Sequence, residues 1–146
     1  MENRSVKLPE EWIRLGDDKI PDGEYIVTNF VQNKDGTRML LDDEKYSVEI
    51  VFDGIPLLIR QAMEGLRMHT WGEVQKKYNN KAFFRDHFFY LVENSLLVKW
   101  AVEEGVGFYD EGQIKHYCIV TSEELIDILA TFEPTITVTD YKKPTQ

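Results

Sequence analysis

The sequence predicts an α+β fold: an antiparallel β-meander followed by helices and further strands packed as one sheet-and-helix domain. Three observations predict it. YSVEIVF at 46–52 alternates with period two, placing Tyr46, Val48, Ile50 and Phe52 on one face and Ser47 and Glu49 on the other. Turn signals, NKDG at 33–36 and DDEK at 42–45, separate it from two earlier strand-like runs. After residue 60, helix-start signals alternate with short apolar runs, as in a domain whose helices cover a sheet.

Taken in order, LPEEWIRLG (8–16) reads as a short first helix. Pro9 suits the first helical position, Glu10 and Glu11 favour the positive helix end, and Gly16 can end it. DDKIPDGE is a loop. EYIVTNFVQ, TRMLL and YSVEIVF form the meander. Asp53-Gly54 reads as a two-residue hairpin loop leading into IPLLIR, with Pro56 marking an edge or a late start. Thr70-Trp71-Gly72-Glu73 matches a capping box for a helix with Trp71, Val74 and Tyr78 on one face, ended by Asn79-Asn80. HFFYLV (87–92) is a strand covered on both faces. SLLVKWAVEE (95–104) is a helix capped by Asn94 or Ser95 and ended by Gly105. IKHYCIV (114–120) is a strand. Thr121-Ser122-Glu123-Glu124 is a second capping box. Leu125, Ile128, Leu129 and Phe132 then fall at helical spacing, so 121–132 reads as an amphipathic helix. Pro134 stops it, and TITVT (135–139) returns as a strand.

One domain, 1–146, is expected, divided into an N-terminal helix and loop (1–23), the meander (24–60), mixed helices and strands (61–139) and a tail (140–146). Strands 87–92 and 114–120 are candidates for the centre of the sheet. The expected core comprises the inward face of 46–52 with Phe89, Leu91, Leu97, Trp100, Ile119, Leu125, Ile128 and Leu129.

Composition narrows function. Hydrophobic residues make up 42% and charged residues 29% of the 146, a globular balance. No apolar run approaches the ~20 residues needed to span a bilayer, and MENRSVKLPEEW lacks the apolar core of a signal peptide. The single cysteine cannot form an internal disulfide. A cytoplasmic location is therefore expected. The net charge of −9 disfavours nucleic acid and anionic membrane and favours a basic protein partner.

Catalytic signatures are weak. His116 and Cys118 share one strand face, but a structural zinc site needs about four ligands, and no C-x-x-C or H-x-x-x-H supplies the others. Cys118 sits inside an apolar strand rather than at a helix N-terminus, where its pKa would fall. There is no G-x-S-x-G, P-loop or G-x-G-x-x-G. Acid pairs such as Asp17-Asp18 and Glu103-Glu104 are expected by chance among 26 acids. No catalytic residue, metal or cofactor is assigned.

EEGVGFYDEG (103–112) is the candidate partner-binding segment, with Glu103, Glu104, Tyr109, Asp110 and Glu111 as its site residues. Aromatic groups flanked by charge in a loop make interface anchors. The bland alternative is a helix end followed by a loop whose aromatics fold back on the core.

The series ENS (93–95), KW (99–100), EEGVGFY (103–109), HYCIVT (116–121) and ELIDIL (124–129) resembles a group of small uncharacterised bacterial proteins of the Firmicutes type. That resemblance implies no reaction and no catalytic residue. In size and acidity the chain also resembles immunity proteins encoded beside polymorphic toxins. The leading expectation is a non-enzymatic acidic protein-binding module, an immunity-like inhibitor of a basic protein. The alternatives are a small enzyme or ligand-binding domain with a pocket near His116 and Cys118, and a homo-oligomeric structural protein.

Overall fold

The computed structural model describes residues 8–143. The α+β class holds, but the strands form two antiparallel sheets rather than one. β2 (Ile26–Asn33), β3 (Gly36–Asp42), β4 (Tyr46–Phe52) and β9 (Thr135–Asp140) make a four-stranded sheet in that order. The second sheet runs β1 (Glu11–Arg14), β6 (Phe89–Glu93), β7 (Lys115–Val120), β8 (Glu124–Ala130), β5 (Leu58–Met63). The expectation that 87–92 and 114–120 lie inside the sheet is met by β6 and β7.

The sheets pack face to face. Met39, Leu41, Val48, Ile50 and Phe52 from the first meet Phe89, Tyr117, Ile119, Ile126 and Ile128 from the second, all buried. Phe52 and Tyr117 touch edge to face across the gap, their centroids 5.3 Å apart. Burial of such side chains stabilises by roughly 1.5–3 kcal/mol each. Period-two alternation in YSVEIVF thus serves its expected purpose. In β2 a bulge at Thr28 shifts the register, so that Val27 and Phe30, three apart, both pack on the core.

The outer face of the five-stranded sheet is covered by α1 (Met68–Lys77) and α2 (Leu96–Glu104). Val74 and Trp71 of α1, with Tyr78 just after it, pack on Tyr90, Cys118, Val120 and Leu125. Leu97 and Val98 of α2 pack with Leu129 and Ile114. The strands between inter-sheet core and helices are buried on both sides, which is why their sequences lose alternation.

Four sequence expectations fail for tertiary reasons. Residues 8–16 are not a helix: Glu11–Arg14 pairs antiparallel with β6 and buries Trp12. Asp53-Gly54 does not close a hairpin: β4 pairs with β9, while β5 belongs to the other sheet and pairs with β8. Residues 124–130 form a strand, not a helix. Thr121 Oγ1 does accept the N–H groups of Glu123 and Glu124, as a cap would, but Thr121 N–H also bonds the Glu124 carbonyl and reverses the chain. Trp100 is half-exposed instead of buried. In addition, α1 starts at Met68, two residues before the expected Thr70 cap, and has no side-chain cap. The 1–23 and 140–146 segments fall partly outside the described residues.

Candidate functional site

The segment 103–112 is a protruding knuckle at the end of α2. Ser95 starts that helix, its Oγ accepting the Val98 N–H at 3.0 Å. Gly105 N–H bonds Ala101 O, Val106 N–H bonds Glu103 O and Gly107 N–H bonds Val102 O, which satisfies the last carbonyls and ends the helix. Val106 takes φ 53° and Gly107 φ 75°. For a β-branched residue the left-handed region is strained, typically by 1–3 kcal/mol. Val106 is nevertheless 92% exposed and Phe108 81% exposed, so neither gains from burial what the strain costs.

All five candidate residues lie on this knuckle, in different states. Glu103 and Glu104 are exposed on the last turn of α2, where the helix dipole disfavours acids. Asp110 caps a short 3-10 turn, Glu111–Gln113, and its N–H donates to Gln113 Oε1 at 2.7 Å. Glu111 pairs with Lys99 at 3.4 Å. Tyr109 is half-buried against the cluster of Leu97, Val98, Ile114 and Leu129 and meets the Phe108 ring edge to face at 5.1 Å. Tyr109 therefore props the knuckle, and Phe108 and Val106 form its tip. The sequence marks Phe108 as an aromatic of this segment but not as a site residue, and does not mark Val106, whose one local signal is that it lies between Gly105 and Gly107.

The alternative pointed to His116 and Cys118. These project from β7 toward the helices and meet Asp127 of β8, which is wholly buried. Ser95 Oγ is 2.7 Å from His116 Nδ1, and His116 Nε2 is 2.7 Å from Asp127 Oδ1. Asp127 Oδ2 accepts from Arg60 Nε at 2.8 Å and Arg67 Nη1 at 2.5 Å. An imidazole protonated on Nε2 completes every bond: the Ser95 hydroxyl donates to Nδ1, and Nε2–H donates to Asp127. Burial alone would raise the Asp127 pKa. The hydrogen bond from His116, with the charges of Arg67 and Arg60, outweighs it and holds the carboxyl well below its usual range. Burial, and then the Asp127 charge, pushes the Cys118 thiol well up, so it is a poor nucleophile.

Serine, histidine and aspartate in a row invite a hydrolase reading, and the geometry argues against it. Ser95 is 3% exposed and already serves as the α2 cap, whereas a nucleophile needs an open approach and oxyanion donors. The ligand atoms of His116, Cys118 and Asp127 also lie within 4.8 Å of one another. Both carboxylate oxygens and both ring nitrogens are engaged, however, and two guanidiniums would repel a cation. The network holds β5, β7, β8 and the α2 start together. A cleft of about 790 Å³ opens beside it between the helices, reaching Arg60, Arg67 and His116 but not Cys118.

Comparison with protein families, with curated proteins and with solved structures finds no match to this chain. No described helix is long and apolar enough to cross a membrane.

Proposed function

We propose that this protein is a non-enzymatic acidic protein-binding module, an immunity-like inhibitor that occludes a basic protein. The observation that carries the reading is the knuckle: a strained Val106 and a bare Phe108 ring held out into solvent among Glu103, Glu104, Asp110 and Glu111. An apolar tip that is not used for folding, inside an acidic rim, has the anatomy of an interface. The acids would steer a cationic partner, and the ring would anchor it. The rest of the −9 charge has the sign such steering needs.

The test places a photo-crosslinking amino acid at position 108 in cells, identifies the captured protein, and titrates it against purified variants. Phe108→Ala should speed dissociation by roughly tenfold or more, as loss of an anchor does. Converting the four acids to amides should slow association and flatten its salt dependence. Tyr109→Ala should lower stability as well as binding, since the ring packs on α2. Unchanged binding in both the Phe108 and the acid variants would sink the proposal.

A further inference from the structure

The cleft between α1 and α2 is independent of the knuckle. Its apolar lining includes Trp12, Leu58, Leu96, Leu97 and Trp100, and its polar lining includes Arg60, Arg67, Glu10, Glu73 and His69. Trp100 and Leu96 remain about half-exposed there, which explains why the expected burial of Trp100 fails. Its volume falls within the range of small-molecule sites.

The two arginines share one carboxylate oxygen. Arg60 gives Asp127 its Nε and Arg67 gives one Nη. Both Nη groups of Arg60, and Nε and Nη2 of Arg67, have no hydrogen-bond acceptor among the described residues. Two guanidiniums on one aspartate leave one unit of positive charge in excess at that point. Planar guanidinium forks match a carboxylate, and such charge-assisted bonds are the strong ones. Glu10 is already occupied: Oε2 accepts the Leu96 N–H at 2.8 Å, and Oε1 faces the Trp12 indole N–H at 3.4 Å. Its charge, with that of Glu73, remains in the lining and disfavours a doubly charged ligand.

We propose that the cleft binds a small monocarboxylate with an apolar or aromatic body. The carboxylate takes the unused guanidinium donors of Arg60 and Arg67. The body covers Leu58, Leu96 and Trp100. A phosphate monoester is disfavoured relative to a monocarboxylate, because its second negative charge adds repulsion from the Glu10 and Glu73 carboxylates in the wall.

The test is NMR titration of the full-length ¹⁵N-labelled protein with 4-phenylbutyrate, with its neutral isostere 4-phenylbutanamide, and with inorganic phosphate. The three tryptophan indole N–H signals, assigned by single Trp→Phe variants, give the readout. Trp12 and Trp100 line the cleft, while Trp71 packs on Phe84 outside it. Phenylbutyrate should shift Trp12 and Trp100 saturably at millimolar concentration or below and leave Trp71 in place. The amide should bind roughly tenfold or more weakly, matching the loss of charge-assisted hydrogen bonds. Phosphate should not shift either signal. Arg60→Gln should weaken phenylbutyrate by a similar factor, and its thermal midpoint shows whether the fold survives. If that variant unfolds, the wild-type comparison of acid, amide and phosphate decides alone. The proposal is overturned if phenylbutyrate gives no saturable shift, if the amide binds equally well, or if phosphate binds at least as tightly as the carboxylate.

Discussion

Asp127 lies in the middle of an apolar strand, wholly buried, and answers to two guanidiniums and an imidazole. Asp127→Asn would leave Arg67 largely buried without its counter-charge. Breaking a buried pair by removing one partner costs about 3–5 kcal/mol, a large part of the ~5–15 kcal/mol by which domains are stable. Ser95→Ala, by comparison, should cost about 1 kcal/mol as a lost cap, plus whatever His116 loses. Chemical denaturation of the two variants should preserve that order; a mild Asp127→Asn would mean the network is not structural. His87 supplies a pH signature. It is 2% exposed, and neither ring nitrogen has a hydrogen-bond partner among the described residues; Asp17 Oδ1 is 3.7 Å from Nδ1. Burial, and then the nearby Arg14 charge, lowers its pKa below 6.5. The folded state therefore prefers neutral His87. Its stabilising contribution is complete above the unfolded pKa of about 6.5 and is lost as pH falls through it, because only the unfolded chain takes the proton. Melting temperatures of wild type should decline between roughly pH 7 and pH 5.5, and His87→Phe should flatten that decline. An unchanged slope would assign the titration to another group.

Among the elements, the β7–β8 turn shows where sequence reading succeeds and where it stops. The capping box expected at Thr121 keeps its hydroxyl chemistry, Oγ1 accepting the Glu123 and Glu124 N–H groups, without the helix. That chemistry is common to a helix start and a tight turn. The choice is made by β5 and β7, which pair with 124–130 along both of its edges, and no local spacing records such pairing. Ile126, off the helical stripe, is wholly buried in the strand. The meander and α2 were legible because their signals are local: alternation, Asx-type turns, Ser95 and Gly105. The acids and Tyr109 of the knuckle were legible as composition. The bareness of Phe108 was not, since exposure depends on what fails to cover a ring. The Arg60–Asp127–Arg67 convergence was beyond reach because its partners are 67 and 60 residues apart. One expectation at this scale concerns the β2–β3 turn. A Cβ on Gly36, at φ 137°, would lie 2.5 Å from the Phe52 carbonyl oxygen, which belongs to the backbone of β4 and cannot swing away. Gly36→Ala should cost about 1–3 kcal/mol, measurable as a drop in the denaturation midpoint without loss of slope. Full stability would show that the turn relaxes.

For the molecule as a whole, charge and topology set the terms. With a net −9, association with DNA or RNA should be undetectable at physiological salt by fluorescence anisotropy. Micromolar binding there would reveal a basic patch that the charge total hides. The topology matters in another way. β9 is the last strand among the described residues, and it pairs along β4, with Glu49 opposite Thr137 and Tyr46 opposite Asp140. Synthesis from the N-terminus therefore delivers β2, β3 and β4 long before the strand that completes their sheet. The inner face of that meander waits too, since Tyr117, Ile119, Ile126 and Ile128 emerge only in the last quarter of the chain. A nascent chain that has formed β2–β4 alone would present a half-wet sheet with an open edge on β4, the kind of edge that recruits stray strands. Its pairing partner β9 lies far along the sequence, so the sheet is expected to close late. β9 is in this sense a latch: nascent chains that stall before residue 135 should be the ones that aggregate or engage chaperones.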